Sequence, residues 1–314
     1  MADPEPSPRR QDDAGIPMLD TTHIKRKLPD IPYADRSPAQ KLDIYWPADH
    51  AAPYPVIVHI HGGAFMAGDK GDTQLGPTLQ ALDRGYAVVS INYRMSGEAT
   101  FPALIHDTKA AIRWVRAHAD EHGFDSARVA VWGGSAGGYL ALMAGVSDGI
   151  DELDDLSLGN PEHSSAVQAV VAWFPPTNFL LMDAQLEASG FIQTPASAHS
   201  GPESPESLIL GEQITRIPEL VHVANPETYV RHALPPFLIQ HGTADDTVPY
   251  QQSLTFACKL AAAIGHDRVT YDLLLNARHG HGEPAFNTPH NIGKILDFLD
   301  TTLGPDQPCH DPRR

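Results

Sequence analysis

The feature of this sequence that most constrains its fold is an alternation of short apolar runs, rich in β-branched residues, with longer segments of helical periodicity. The runs at 55–61 and 166–174 predict buried strands, whereas the segment 101–123 repeats apolar residues at helical spacing. Strands that alternate with helices pair in parallel, and the helices cover both faces of the sheet. The sequence therefore predicts an α/β fold with a mostly parallel, twisted sheet.

Further runs complete this pattern. Strands are predicted at 41–46, 86–94, 128–134, 235–242 and 268–275, and helices after residue 134 and at 250–265 and 288–303. Between 147 and 233 the periodicity weakens and part of the chain is polar and proline-rich, which we interpret as a small cap or lid insertion. A plain surface excursion is the alternative. We expect a flexible tail over 1–30, one domain over 31–304 and a C-terminal tail over 305–314.

Charge and composition narrow the classes of partner. The 314 residues include 22 basic and 39 acidic side chains, and the net charge of −17 repels nucleic-acid phosphates. The chain has no run of about 18 apolar residues, so no membrane span is predicted, and without a secretory signal a cytoplasmic location is expected. Cys258 and Cys309 match no metal-ligand spacing and are expected to be free thiols, with one disulfide as the alternative. A homodimer is compatible with the sequence, but no residue argues for one.

The stretch VWGGSAGGYLALMAG at 131–145 packs four glycines closely around one serine. Gly133, Ser135 and Gly137 fit the pattern G-x-S-x-G between a predicted strand and a predicted helix, which is the context of a nucleophile elbow. The serine of such an elbow sits in a sharp, strained turn, and the flanking glycines avoid collisions with neighbouring backbone. We predict that Ser135 is a nucleophile. A simple glycine-rich turn is the alternative, since the pattern of a phosphate-binding loop is absent.

A second motif, HIHGGAF at 59–65, ends a predicted buried strand. A tetrahedral oxyanion needs preorganised N–H donors, and two adjacent glycines let the backbone turn its amides inward. Gly62 and Gly63 are the predicted donors, together with the amide of Ala136, directly after the serine. His59 and His61 form an H-x-H pair, but no further ligands follow closely, so no metal site is predicted. His61 is expected to brace the loop.

The candidate acid and base follow two later strands. A serine hydroxyl needs a histidine to take its proton and a carboxylate to orient that histidine. HGTADDTVPY offers Asp245 and Asp246, and NARHGHGEPAF offers His279 and His281. Both loops follow predicted strands, at the sheet edge where open α/β sheets place their sites. The order Ser, Asp, His agrees with a hydrolase triad.

These motifs together resemble the α/β-hydrolase esterases. HGGAF with the following GDK, VAVWGGSAGG and PPFLIQHGTADDTVP are similar to the bacterial feruloyl and acetyl-xylan esterase type, near the hormone-sensitive-lipase-like carboxylesterases. The likeness runs from about residue 41 to 303. It implies Asp245 as the acid, because Asp245 matches the aspartate of HG-x-x-D-x-x-VP, and His281 as the base, with His279 as the alternative. It also implies that Phe65, Trp173 and Phe174 bind substrate.

The sequence departs from the family pattern in the oxyanion motif, at Ala64, and in the stretch WFPPTNF at 173–179, at Pro176 and Asn178. Ala64 stands where relatives commonly have a third glycine, and alanine is tolerated there if the turn needs no positive φ. Asn178 stands where relatives often have aspartate. We expect a serine carboxylesterase that hydrolyses short-chain acyl or small aromatic esters through an acyl-enzyme, without metal or organic cofactor. An amidase resembling kynurenine formamidase is one alternative. A non-catalytic receptor or scaffold is another, and the presence of all three triad residues counts against it.

Overall fold

The fold is built on one mixed sheet in a computed structural model that describes residues 16–278 and 283–304. The strands of this sheet are β1 Lys27–Pro32, β2 Lys41–Tyr45, β3 Tyr54–Ile60, β4 Ala87–Ile91, β5 Phe124–Gly134, β6 Ala169–Trp173, β7 Phe237–Gly242 and β8 Val269–Leu274. Their spatial order is β1-β2-β4-β3-β5-β6-β7-β8. β2 runs antiparallel to β1 and β4, and every other pair is parallel.

Helices cover both faces of this sheet. They are α1 Gly76–Leu79, α2 Ala103–Ala117, α3 Ala119–His122, α4 Ala136–Val146, α5 Met182–Ala188, α6 Pro205–Leu210, α7 Pro218–Ala224, α8 Gln251–Ile264 and α9 Pro289–Leu303. Side chains alternate across each strand. In β3, Val56 and Val58 therefore pack with the core that contains α2, α4 and α8, whereas Ile57 packs with the core that contains α9. The predicted α/β fold with helices on both faces is confirmed.

The N-terminal segment differs from the expected tail over 1–30. Lys27–Pro32 forms the edge strand β1, and the amide of Leu19 donates to the carbonyl of Gly71 over 2.8 Å. Most residues of β1 are exposed. Such a strand lacks the apolar alternation on which a sequence-based prediction depends.

The cap or lid was predicted within 147–233, and β6 of the central sheet divides this range. The part that follows β6, here called the insertion, contains α5, α6 and α7 joined by irregular chain. Whether this insertion closes over a site stays a prediction. In the part of the chain that the structure describes, no helix is both long and apolar enough to cross a membrane.

Candidate active site

Ser135 occupies a strained turn at the carboxyl edge of the parallel strands. Gly134 ends β5 and Ala136 begins α4, so Ser135 is the single residue between them. Its backbone has φ 54° and ψ −122°, a conformation that residues other than glycine rarely adopt. Such a conformation costs roughly 1–3 kcal/mol. The amide of Ser135 donates to the carbonyl of Trp173, at the end of the adjacent strand, over 2.9 Å. The turn is therefore held by the sheet despite its strain.

Glycines make this turn sterically possible. A Cβ on Gly137 would lie 2.1 Å from the carbonyl oxygen of Ile60 and 2.6 Å from that of His61. A Cβ on Gly133 would lie 2.3 Å from the oxygen of Gly137. These neighbours are backbone atoms of β3, of the residue after it and of α4, and they cannot move aside. The structure thus gives the physical reason for the glycines at both G positions of the G-x-S-x-G motif.

The loop after β3 carries the predicted oxyanion donors. Gly63 has φ 122°, and a Cβ there would lie 2.0 Å from the carbonyl oxygen of Ala67. The amides of Met66 and Ala67 both donate to the carbonyl of Gly63, at 2.9 and 3.0 Å. Ala64 has φ 54°. The turn does require positive φ at Ala64, so alanine carries strain there that glycine would not.

The amide of Gly62 already has an acceptor. It donates to Oε1 of Gln74 over 2.7 Å, and Nε2 of Gln74 donates to Oδ2 of Asp72 over 2.8 Å. Asp72 is fully buried, and burial raises its pKa to about 6. This geometry contradicts the prediction of Gly62 as an oxyanion donor, because its N–H points to Gln74. The amides of Gly63 and Ala136 remain as the predicted donors.

His61 packs between the loop after β3 and Tyr93. Its Nδ1 lies 2.7 Å from the carbonyl oxygen of Gly62, and its ring stacks on Tyr93 at 4.6 Å between centroids. Burial lowers the pKa of His61. Since the carbonyl only accepts, Nδ1 carries the proton of a neutral ring. The hydroxyl of Tyr93 donates to the carbonyl of His61 over 2.9 Å. Such a neutral, buried ring acts as a brace.

Asp245 lies in the acid loop, residues 243–250, between β7 and α8. Its side chain is almost completely buried. Oδ1 accepts from the amides of Thr247 and Val248, each at 2.9 Å. Oδ2 is buried and has no hydrogen-bond partner among the described residues. The ring Nε2 of His241 lies 3.3 Å from Oδ2, but it is 2.8 Å from the carbonyl of Val248, which takes its proton. Oδ2 is therefore an acceptor in need of a donor.

The acid loop lies against the segment that precedes the candidate histidines. The amide of Ala244 donates to the carbonyl of Ala277 over 2.9 Å, and a Cβ on Gly242 would lie 2.3 Å from that same oxygen. His281 and His279 lie outside the described residues, so the choice between them stays a prediction. Asp246 is half-buried and has an interaction of its own.

The three aromatic residues predicted to bind substrate are nearly inaccessible. Phe65 and Phe174 are each 1% exposed, and Trp173 is 4% exposed. The ring of Phe65 packs on Tyr139 at 5.3 Å, and that of Phe174 packs on Phe286 at 4.8 Å. These rings stabilise the walls around the turn, and their contact with a substrate stays a prediction.

A groove of about 530 Å³ lies elsewhere on the surface. It is lined by 96–103 with Arg36, Arg94 and His106, and Ser96 at its border donates to the carbonyl of Phe65 over 2.8 Å. Arg94 is paired with the buried Asp107 at 2.7 Å. Since Ser135 does not line this groove, it is not the predicted site.

A mostly parallel sheet in this strand order, with a strained serine between a strand and a helix, defines an α/β-hydrolase fold. The chain belongs to the BD-FAE family, whose model matches residues 42–260. Esterase LipQ of Mycobacterium tuberculosis is 30% identical over 279 residues, which are 88% of this chain and 62% of LipQ. The chain spans about three fifths of the length of curated relatives such as LipQ, LipC and LipM of Mycobacterium tuberculosis.

Solved structures agree with this family. A truncated carbohydrate esterase from gut microbiota superposes with a TM-score of 0.79 at 29% identity, over 92% of this chain and 99% of the other. Thermogutta terrifontis esterase 2, in a form phosphonylated by sarin, superposes with a TM-score of 0.67 at 27% identity, over 88% and 96%. These relatives and neighbours are esterases by name.

Two supports of the site were not predicted from the sequence. Gln74 holds Gly62 from 12 residues away, across a loop that has no periodicity. His199 contacts the carbonyl of Thr247 from 48 residues away. Neither side chain belongs to a motif, and only the path of the chain brings them to the site.

Proposed function

We propose that this chain is a serine carboxylesterase that hydrolyses short-chain acyl or small aromatic esters through an acyl-enzyme intermediate. The observation that carries the proposal is the backbone of Ser135, held at φ 54° between β5 and α4 at the carboxyl edge of the sheet. Backbone strain of this kind clusters at active sites. The esterase names of the relatives in both comparisons support the reaction class.

The proposed reaction begins with attack by Ser135 Oγ on the ester carbonyl carbon, while His281 accepts the serine proton. The resulting oxyanion is stabilised by the amides of Gly63 and Ala136. Collapse of the tetrahedral intermediate breaks the bond to the alcohol, which leaves with the proton from His281. Water, activated by the same histidine, then adds to the acyl-enzyme, and the acid is released as Ser135 regains its proton.

Asp245 has a distinct role in this proposal. Its Oδ1 is held by two backbone amides, and its Oδ2, which has no hydrogen-bond partner among the residues that the structure describes, is available to a ring N–H. A carboxylate in that position selects the histidine tautomer that can take the serine proton, and stabilises the imidazolium that forms. The neighbouring contact between the acid loop and Ala277 supports the choice of this loop.

The preference for short acyl groups is supported by the packing beside the turn. Phe65, Tyr139 and Phe179 contact one another with centroid distances of 5.3–6.1 Å, and all three are buried. These rings pack between the loop after β3 and α4, and we propose that they limit the length of the acyl group that binds beside Ser135. We therefore expect activity to fall steeply beyond butyrate.

The test is hydrolysis of p-nitrophenyl esters from acetate to decanoate by the wild type, by Ser135→Ala and by Ser126→Ala. Ser126 is exposed on the same strand, so its substitution controls for loss of a serine hydroxyl. We expect Ser135→Ala to lose about 10⁴-fold or more in kcat and Ser126→Ala to match the wild type. Equal activity of Ser135→Ala and the wild type would refute the nucleophile. A matched anilide, hydrolysed faster than the ester, would favour the amidase alternative.

A further inference from the structure

A buried histidine joins the insertion to the acid loop. His199 lies between α5 and α6, and its ring Nε2 lies 2.9 Å from the carbonyl oxygen of Thr247. Its Nδ1 lies 3.0 Å from Oε2 of Glu206, on α6. The two side chains are 9% and 5% exposed. The imidazole therefore lies between two elements that are far apart in sequence.

Both neighbours of this ring are hydrogen-bond acceptors. The carbonyl of Thr247 accepts only, and the carboxylate of Glu206 accepts only when ionised. A neutral imidazole has one N–H and can satisfy one of them, whereas an imidazolium satisfies both. Nδ1 of His199 and Oε2 of Glu206 lie close enough for an ion pair, but within the described ranges their orientation does not meet the geometry of a hydrogen bond. The carboxylate at Nδ1 and the carbonyl at Nε2 together favour the protonated ring.

The charges around the ring act in the same direction. Burial lowers the pKa of His199, but Glu206, the Thr247 carbonyl and Asp183 outweigh it, so the pKa is raised. Asp183, on α5, accepts from the amide of His199 over 2.7 Å. The charged groups that act on the ring, Glu206 on α6 and Asp183 on α5, are both anionic.

A single peptide unit connects His199 to Asp245. The carbonyl of Thr247 and the amide of Val248 belong to the same planar group. Its oxygen faces Nε2 of His199 at 2.9 Å, and its N–H donates to Oδ1 of Asp245 at 2.9 Å. A shift of this plane that breaks one contact alters the other. One peptide unit thus contacts both the His199 ring and the Asp245 carboxylate.

We propose that His199, held as an imidazolium by Glu206, is a positioning residue that orients the Asp245 carboxylate through the peptide unit of Thr247 and Val248. This inference rests on the proposed function, because it takes Asp245 as the acid of the triad. It also assigns a role to the insertion, which supplies both members of the ion pair. The insertion thereby helps to orient the Asp245 carboxylate.

The inference has a defined pH dependence. When His199 loses a proton, the remaining proton stays on Nδ1 because the carboxylate is the stronger acceptor, and the bond to Thr247 is lost. The hydrogen bond from His199 to the Thr247 carbonyl is present below the raised pKa of His199 in the folded state and is lost as the pH rises through that pKa. Its contribution to stability is fully present below the pKa of His199 in the unfolded chain, and it is lost as the pH rises through the folded-state pKa. Activity, which needs a neutral catalytic histidine, should therefore decline again on the alkaline side.

Two substitutions separate the contacts of the ring. His199→Gln places an amide N–H₂ near the position of Nε2 and keeps the bond to Thr247 without a charge. His199→Asn places its N–H₂ near Nδ1, and so keeps the contact with Glu206 and loses Thr247. His232→Gln, at an exposed histidine, is the matched control. Profiles of kcat and KM against pH are measured for each with p-nitrophenyl acetate, together with thermal melting.

We expect His199→Asn to lower kcat about tenfold with little change in KM, since misplacement of a supporting group affects mainly the chemical step. His199→Gln should restore kcat to within about twofold and remove the alkaline decline. Glu206→Gln should move that decline to lower pH. The inference is overturned if His199→Asn keeps the wild-type kcat and pH profile while Ser135→Ala is inactive, and that result leaves the proposed function standing.

A second measurement is independent of activity. The ring nitrogens of His199 and the amide of Val248 are followed by NMR across pH in the full chain. We expect the Val248 amide to shift with the same midpoint as the His199 ring, and Glu206→Gln to lower both midpoints. An amide that does not respond to the His199 titration would overturn the inference even if Ser135→Ala shows that the esterase proposal is wrong.

Discussion

Gly137→Ala and Gly293→Ala make the same chemical change, but we expect the first to lower the stability of the fold and the second to raise it. At Gly137 the new Cβ would lie 2.1 Å from the oxygen of Ile60 and 2.6 Å from that of His61. Ile60 pairs with Ile91 on one side and Gly133 on the other, so its carbonyl cannot retreat. Overpacking costs about 1–3 kcal/mol, and backbone on both sides places this change at about 3 kcal/mol or more.

Gly293 lies within α9, and a Cβ there would meet no atom within 4 Å. Alanine is favoured over glycine in a helix interior by about 0.5–1 kcal/mol. In a domain of about 300 residues 1 kcal/mol moves the melting temperature by about 1.5–2 °C. Gly137→Ala should therefore melt at least about 4 °C lower than the wild type and Gly293→Ala about 1–2 °C higher.

The assay is thermal unfolding followed by circular dichroism, with hydrolysis of p-nitrophenyl acetate measured at 25 °C or below. Gly137→Ala should also lose most of its activity, because the residue after Ala136 sets the path of the nucleophile turn. A Gly137→Ala variant that melts within about 2 °C of the wild type would refute the steric reasoning. Stabilisation of Gly293→Ala under the same conditions shows that the assay resolves changes of this size.

Two further outcomes are expected from the supports of the site and of the core. Gln74→Leu removes the acceptor of the Gly62 amide, so kcat of ester hydrolysis should fall about tenfold with little change in KM in steady-state assays. An unchanged kcat would mean that the Gln74–Gly62 hydrogen bond does not order the loop after β3. Asp107→Ala leaves the buried part of Arg94 without its carboxylate and should destabilise the chain by about 3–5 kcal/mol in denaturant unfolding. A loss below about 1 kcal/mol would show that this ion pair is energetically like an exposed one.

Elements with a strong periodic signal were predictable from the sequence. The buried strands β3, β5 and β7 and the helices α8 and α9 lie within a few residues of their predicted bounds, whereas the predicted helical segment 101–123 forms two helices, α2 and α3. The serine turn was predictable because its steric needs select glycines at fixed offsets. The edge strand β1 was not predictable, since its side chains are largely exposed and its pairing with β2 is set by the rest of the sheet.

The supports of the site depend on contacts that no local pattern encodes. Gln74 takes the Gly62 amide because the loop after β3 returns to it, and His199 meets Thr247 because the insertion packs on the acid loop. The positive φ of Ala64 is likewise set by the turn, which keeps its shape although the residue is alanine. Sequence motifs locate candidate reactive side chains, whereas tertiary packing decides which backbone amides remain available to donate hydrogen bonds in the site.

The central claim is that Ser135 is the nucleophile, and covalent trapping tests it most directly. The wild-type chain is incubated with diethyl p-nitrophenyl phosphate and digested with chymotrypsin, whose sites after Trp132 and Tyr139 release residues 133–139. Mass spectrometry should find one diethylphosphoryl group on Ser135 in that peptide, in step with the loss of esterase activity, and none in Ser135→Ala. Inactivation with the adduct on another residue, or inactivation of Ser135→Ala at the wild-type rate, would contradict the account.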